Sequence, residues 1–273
     1  MPEKISFEEL QQKIEDPDVP DAEIRSYLTG DKNSSRAFSP AVVPDPNRVI
    51  MPDGQVPGAR DAATRAERGA RIMQWANGLA RRRRERRFDR RRENGETLPI
   101  LVSEGDSWFQ FPLLLDDVID QLGNDYLIWS LDAAGDTLDN MVKKKPEFLD
   151  GLARFEGGAR ALLFSGAGND IVGEDASGNP VIPQLVLPFD ASRTDPSWYI
   201  GTQEFRDIVL FIEDCYRDVL EKVGNAYPGL PVILHGYDYS IPGGNAGEWR
   251  NPSYASVDQW LGKPFHDIGI VDA

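Results

Sequence analysis

The chain has 273 residues, 40% of them hydrophobic, with one cysteine, two histidines and a formal net charge of −15. One thiol argues against an internal disulfide framework, and two histidines argue against a Cys/His zinc centre. A body this acidic repels nucleic acid and anionic lipid on average.

The opening "MPEKISFEELQQKIED" is acidic and amphipathic and has neither the basic nor the apolar region of a signal peptide. With no run of about 18 apolar residues, no transmembrane segment is expected, and a cytoplasmic location is the default. Ser6 and Glu9 fit a capping box, and Phe7, Leu10 and Ile14 fall on one helical face, so the spacing predicts a short helix. "PDAEIRSYLTG" reads as a second helix closed by Gly30. Prolines 40, 44, 46, 52 and 57 then mark an extended or mobile linker over residues 30–60. From Arg60 to Arg92 and just beyond (residues 60–94), Ala, Arg and Glu dominate, which predicts a long helix whose apolar stripe is Ile72, Met73, Trp75, Ala76 and Leu79. Within it, "RRRRERRFDRRR" (Arg81 to Arg92) holds nine arginines. Residues 1–95 thus form a helical N-terminal extension. It suits either docking to a protein partner or packing on the body that follows.

Residues 96–273 alternate strand and helix. The expected strands are "PILVSEG", "YLIWSLDAAG", "ARALLFSGAGND" and "LPVILHGYDY". The expected helices are "LLLDDVIDQLG", "TLDNMVKKKPEFLDGLARF", interrupted or restarted at Pro146, and "QEFRDIVLFIEDCYRDVLEKVG", where Cys215 reads as a small buried hydrophobe. Short apolar strands between helices predict an α/β fold, a three-layer α/β/α sandwich with a mainly parallel sheet. Ligands of such sheets bind at the carboxyl ends of the strands. Here those ends read "EGDS", "DAAGD", "SGAGND" and "HGYDY", all rich in Gly, Asp, Ser and Asn. The segment 174–202 is expected to be an insertion near them, a lid or a substrate wall.

"GDSW" (Gly105 to Trp108), "AAGDT" around Gly135 and "GAGND" with Asn169 and Asp170 occur in that order on successive strands. Over residues 97–270 the chain resembles the SGNH (GDSL-type) hydrolases, a family of esterases, lipases and carbohydrate deacetylases. The resemblance implies a flavodoxin-like sheet and a serine hydrolase that needs no cofactor and no metal. It would cleave a small ester, lipid or acylated carbohydrate, through an acyl-serine intermediate. Ser107 would be the catalytic nucleophile. The N–H groups of Ser107 and Gly135 and the amide of Asn169 would form the oxyanion hole, where preorganised donors lower the energy of the tetrahedral intermediate. Asp106 and Asp170 are expected to support the site by shaping turns.

Two departures stand beside the resemblance. Ala167 occupies the position where the family's Gly-x-Asn-Asp block begins. The family also carries an Asp-x-x-His pair near its C-terminus, and none occurs here, since Val232 and Lys263 stand three residues before His235 and His266. Three explanations remain open. The pair lies in a C-terminal part beyond this sequence, His235 or His266 acts as the base in another geometry, or the domain is a catalytically inactive interaction module. His235 after "PVIL" and His266 in "GKPFHDIG" also read as ordinary rim and surface residues. Tyr237, Asp238 and Tyr239 read as pocket wall or plain strand end, and Trp108, Phe109 and Phe111 as core. The arginine run is expected to be a solvated helix paired with the acidic body, ahead of a protein or membrane-surface contact, with nucleic acid last.

Overall fold

The computed structural model describes residues 4–31, 42–52, 65–111, 113, 115–175, 179–237, 265 and 268–269. Asp238, Tyr239 and His266 lie outside the described residues, as do residues 60–64 of the expected long helix.

Ser6 caps helix α1 (Phe7–Glu15) as the sequence predicts. Ser6 Oγ accepts from the Glu9 N–H at 3.1 Å, and Glu9 Oε2 accepts from the Ser6 N–H at 2.7 Å. The second helix is shorter than expected: α2 covers only Asp21–Arg25. The sequence running up to Gly30 is instead a strand, β2 (Leu28–Gly30), antiparallel to β3 (Val42–Pro44). Ile5–Ser6, strand β1, pairs in parallel with β4 (Val49–Ile50). The expected linker is therefore partly ordered into strands, because Val42, Val43 and Val49 bury their side chains. Pro44 allows this by standing at the end of β3, and Pro46 and Pro52 by standing outside the strands, where no ladder N–H is needed. Phe7, Leu10, Ile14, Ile24, Leu28, Val42 and Val49 pack with Ala76 and Leu79 of α3 (Arg65–Glu93) into one apolar cluster.

The arginines of α3 tie this extension to the body. Arg83 is 2% exposed. It donates to Asp21 Oδ1 at 2.8 Å and to the carbonyls of Ile14, Asp16 and Val19, which follow or end α1. Ile14 lies in the last turn of α1 and Asp16 is its C-cap, where carbonyls lack an intrahelical partner, so the guanidinium acts as a C-terminal cap. Arg87 forms a bidentate pair with Asp21, and Arg86 and Arg90 meet Glu15 and Asp18. On the other side Arg84 reaches Asp117 at 2.5 Å, Asp120 at 3.1 Å and the carbonyl of Phe109 at 2.6 Å. Arg81 pairs with Glu147 at 3.1 Å, and Arg91 meets Glu96 and the carbonyls of Gly123 and Tyr126. The run is an intramolecular ladder of ion pairs, so its positive charge is largely neutralised within the chain.

The body is mixed α/β with a parallel four-stranded sheet: β5 (Ile100–Gly105), β6 (Leu127–Ser130), β7 (Ala159–Ser165) and β8 (Val232–His235), in the spatial order β6-β5-β7-β8. All six residues of β5 are buried, as a central strand covered on both faces requires. Alternate side chains separate two cores. Leu101, Ile128, Ala161 and Leu163 pack with Phe109 and with Ile119 of α4 (Val118–Leu122). Val102, Leu162 and Phe164 pack on the opposite face with Met141, Val142, Phe148, Leu152, Cys215, Val219 and Val223. Those residues belong to a π-helix (Asp139–Lys144), α5 (Glu147–Ala153), which starts after Pro146, and α8 (Gln203–Ala226). Burying a side chain such as Phe148 or Phe164 contributes about 1.5–3 kcal/mol. Cys215 is fully buried and burial pushes its thiol up to about 11, consistent with a packing role. Val209 and Leu210 of α8 point outward. In segment 174–202, α7 (Ile182–Leu185) packs on α8, and Thr202 Oγ1 donates to the Leu185 carbonyl at 2.6 Å. No helix among the described residues is long and apolar enough to cross a membrane.

Candidate active site

The chain enters the sheet at β5, turns through α4 to β6, then crosses to the other side of β5 to make β7 and β8. The strand order reverses between β5 and β7, and in open α/β sheets the ligand crevice lies at the carboxyl ends where that happens. Residues 105–111 leave β5 there and residues 166–169 leave β7.

Backbone bonds hold the first of these turns from both sides. Ala133 N–H donates to the Gly105 carbonyl at 2.8 Å, and Asp106 N–H to the Ser165 carbonyl at 3.3 Å. The chain then tightens, with Phe109 and Gln110 N–H both donating to the Asp106 carbonyl. Phe109 folds so closely back that a Cβ on Gly105 would stand 2.6 Å from its ring, which is why glycine precedes Asp106. Ser107 follows, half-buried, beside Trp108, which is 48% exposed.

Asp106 is buried and gathers donors from three places. Its Oδ1 accepts from the Trp108 N–H at 3.2 Å and from Ser165 Oγ at 3.5 Å, and its Oδ2 accepts from the Tyr237 hydroxyl. Burial raises its pKa, and these three bonds oppose the rise. The same charge, with burial, pushes the Tyr237 phenol above its ordinary value, so the tyrosine stays a donor. Gly168 abuts this pair: a Cβ there would lie 3.2 Å from the Tyr237 hydroxyl and 3.3 Å from Asp106 Oδ2.

The other expected site residues stand around the same end of the sheet. Gly135 has φ +84, at the third position of a turn closed by Asp136 N–H to Ala133 C=O at 3.1 Å. Asn169 Nδ2 donates to the Asp136 carbonyl at 2.7 Å, joining the turn after β7 to the loop after β6. Asp170 Oδ2 accepts from the Leu138 N–H at 3.0 Å, and burial raises its carboxyl despite that bond. Among the described residues, neither Ser107 N–H nor Gly135 N–H donates a hydrogen bond.

His235 ends β8 directly opposite Ser165. Its Nδ1 lies 3.0 Å from Ser165 Oγ, and its ring packs 5.7 Å from Trp108, 5.6 Å from Phe109 and 5.5 Å from Tyr237. Burial alone lowers its pKa, which favours the neutral ring. Among the described residues, no side chain hydrogen-bonds Ser107 Oγ. None of them form a group of three or more His, Cys, Asp or Glu side chains placed to hold a metal ion.

Sequence reasoning passed over Ser165, Asn77 and Gln110. Ser165 carries a signal in hindsight, a hydroxyl closing the apolar run from Ala161 to Phe164. Asn77 interrupts the apolar stripe of a helix, a feature that any solvated face also produces. Neither a scan against protein-family models nor a search of curated proteins finds a match to this chain.

Proposed function

We propose that the chain is a serine hydrolase of the SGNH type that cleaves an ester through an acyl-Ser107 intermediate, on a flavodoxin-like three-layer sandwich. The observation that carries this reading is a pair of N–H donors, on Ser107 after β5 and Gly135 in the loop after β6, that have no partner among the described residues, with Asn169 bonded to the same loop. Ser107 Oγ attacks the ester carbonyl carbon and gives up its proton to a base. The carbonyl oxygen becomes an oxyanion, which the two N–H groups and the second amide hydrogen of Asn169 receive. Loss of one such donor typically costs about 3 kcal/mol in the barrier. The bond to the leaving alcohol breaks as that oxygen takes a proton, and water then releases the acid from Ser107. Asp106, with three donors on its carboxylate, shapes the turn and takes no part in proton transfer.

A second reading is a catalytically inactive interaction module. It is favoured by the engagement of His235 with Ser165 and by a Ser107 hydroxyl that no described side chain activates. A fluorophosphonate probe separates the two. Labelling that disappears in Ser107→Ala, together with turnover of a short-chain p-nitrophenyl ester, supports the hydrolase. Absence of labelling and turnover at pH 8 leaves the interaction module.

A further inference from the structure

Asn77 sits on α3, in the N-terminal extension, yet its side chain ends in the loop after β6. Its Nδ2 donates to the Ala134 carbonyl at 2.9 Å, and its Oδ1 accepts from the Ala134 N–H at 3.1 Å. Oδ1 also accepts from Gln110 Nε2 at 3.2 Å, and Gln110 is fully buried in the turn that carries Ser107. One side chain thus joins the helix to both halves of the candidate site.

The Ala134 carbonyl and the Gly135 N–H belong to one planar trans peptide, so they point in opposite directions. Fixing one fixes the other. Residues 133–136 close with an Asp136-to-Ala133 hydrogen bond, Gly135 has φ +84, and Ala134 is not among the residues with positive φ. That combination defines a type II turn. A type I turn over the same four residues differs chiefly by a flip of the central peptide, here the one between Ala134 and Gly135. Glycine at the third position tolerates both forms, so the local sequence does not choose between them. The Asn77 amide does choose, because only the type II form turns the Ala134 carbonyl toward Nδ2.

We propose that Asn77 is a positioning residue: by holding the Ala134 carbonyl it selects the type II turn and aims the Gly135 N–H away from α3, into the crevice. The catalytic half of this statement rests on the hydrolase reading given above; the turn selection does not. It makes the N-terminal extension part of the machinery that presents the oxyanion donor.

Two variants of the full chain test this. Asn77→Ala removes both bonds. Asn77→Asp keeps the size and the acceptor for Ala134 N–H but sets a carboxylate against the Ala134 carbonyl, which favours the flipped peptide and captures the Gly135 N–H. The readouts are the rate of Ser107 acylation at saturating fluorophosphonate, the probe concentration for half-saturation, and amide hydrogen exchange at residues 133–136. We expect acylation to fall about tenfold in Asn77→Ala and about a hundredfold in Asn77→Asp, the loss of one oxyanion donor, with half-saturation within about twofold. A purely structural role would not make the near-isosteric acidic variant the worse of the two. We also expect exchange at Ala134 to quicken by about fivefold or more in Asn77→Ala, while β5 and β7 keep their protection. Acylation within about twofold of wild type in both variants, with Ser107→Ala unlabelled, overturns the catalytic half. If the wild-type chain itself does not label, the hydrolase reading has failed, and hydrogen exchange decides the turn selection alone: a selective change at 133–136 upholds it and unchanged exchange overturns it.

Discussion

Ser165 Oγ and His235 Nδ1 lie 3.0 Å apart at the ends of neighbouring parallel strands, in register with one another. The serine is fully buried and sits between the imidazole and Asp106 Oδ1, so Tyr237, Asp106, Ser165 and His235 form one chain of polar contacts beneath the crevice. The bond occupies the histidine's Nδ1, and three aromatic rings pack about the imidazole. His235→Ala is therefore expected to destabilise the fold by about 1–3 kcal/mol through the lost hydrogen bond to Ser165 and the lost packing. Labelling at Ser107 is expected to stay within about threefold of wild type, measured at a temperature where both proteins are folded. Complete loss of labelling with an unchanged melting temperature would assign the base to His235 instead.

Tyr237→Phe leaves the buried Asp106 Oδ2 without its hydroxyl donor. The expected cost is about 1–3 kcal/mol, or a fall in melting temperature on the order of 2–4 °C for each kcal/mol. Because Asp106 also holds the Trp108 N–H, the acylation rate of Ser107 is expected to fall with it. Calorimetry and probe kinetics on the same preparation check both parts.

Glu104 is buried on β5, and its Oε2 has no partner among the described residues. Burial first, then the nearby Asp132, Glu147 and Asp136, hold its pKa well above the ordinary carboxylate value, against the pull of Arg81. The folded protein therefore keeps a proton that the unfolded chain has lost above about pH 4.5. Folding is penalised progressively as pH rises from there toward the folded pKa. Glu104→Gln does not titrate, so its melting temperature relative to wild type is expected to climb between pH 5 and pH 8. A difference that is flat or falling across that range would contradict this account.

Arg83→Leu is expected to cost about 1–3 kcal/mol, the range for leaving buried hydrogen-bonding groups unsatisfied. The change removes one of the two guanidinium partners of Asp21, Arg87 being the other, and takes the Arg83 donor from the carbonyls of Ile14, Asp16 and Val19. By contrast, Arg92→Ala is expected to change stability by less than about 0.5 kcal/mol, as surface substitutions usually do. Chemical denaturation of both variants measures the contrast.

The sequence made the four strands of the body legible because each is a short, mainly apolar run closed by Gly, Ser or His. It made α1 legible through Ser6 and Glu9. The misreading of residues 28–30 as the end of a helix has a plain cause. Leu28, Thr29 and Gly30 are extended only because Val42, Val43 and Pro44 lie across from them, and no local pattern announces such a partner. The prominent site residues were legible as types at strand ends. Their wiring was not: Asn77 reaches Ala134 across 57 positions, and Tyr237 reaches Asp106 across 131. Contacts of that separation leave no periodicity in the chain.

The two-sided engagement of α3 also bears on the order of folding. Arg83 finds its partners 62 to 69 residues earlier in the chain, whereas Arg84 waits for Asp117, 33 residues later. As a chain grows from its N-terminus, the helix can dock on α1 and α2 while its opposite flank still faces solvent. Arg84 would then stand ready as a charged edge on which the segment around Asp117 settles, and β5, which lies between them in sequence, would be drawn into place as that loop closes. A nascent protein halted just past Glu96 is thus a distinct species, with Arg83, Arg86, Arg87 and Arg90 already matched by earlier residues and Arg81 and Arg84 still without Glu147 and Asp117.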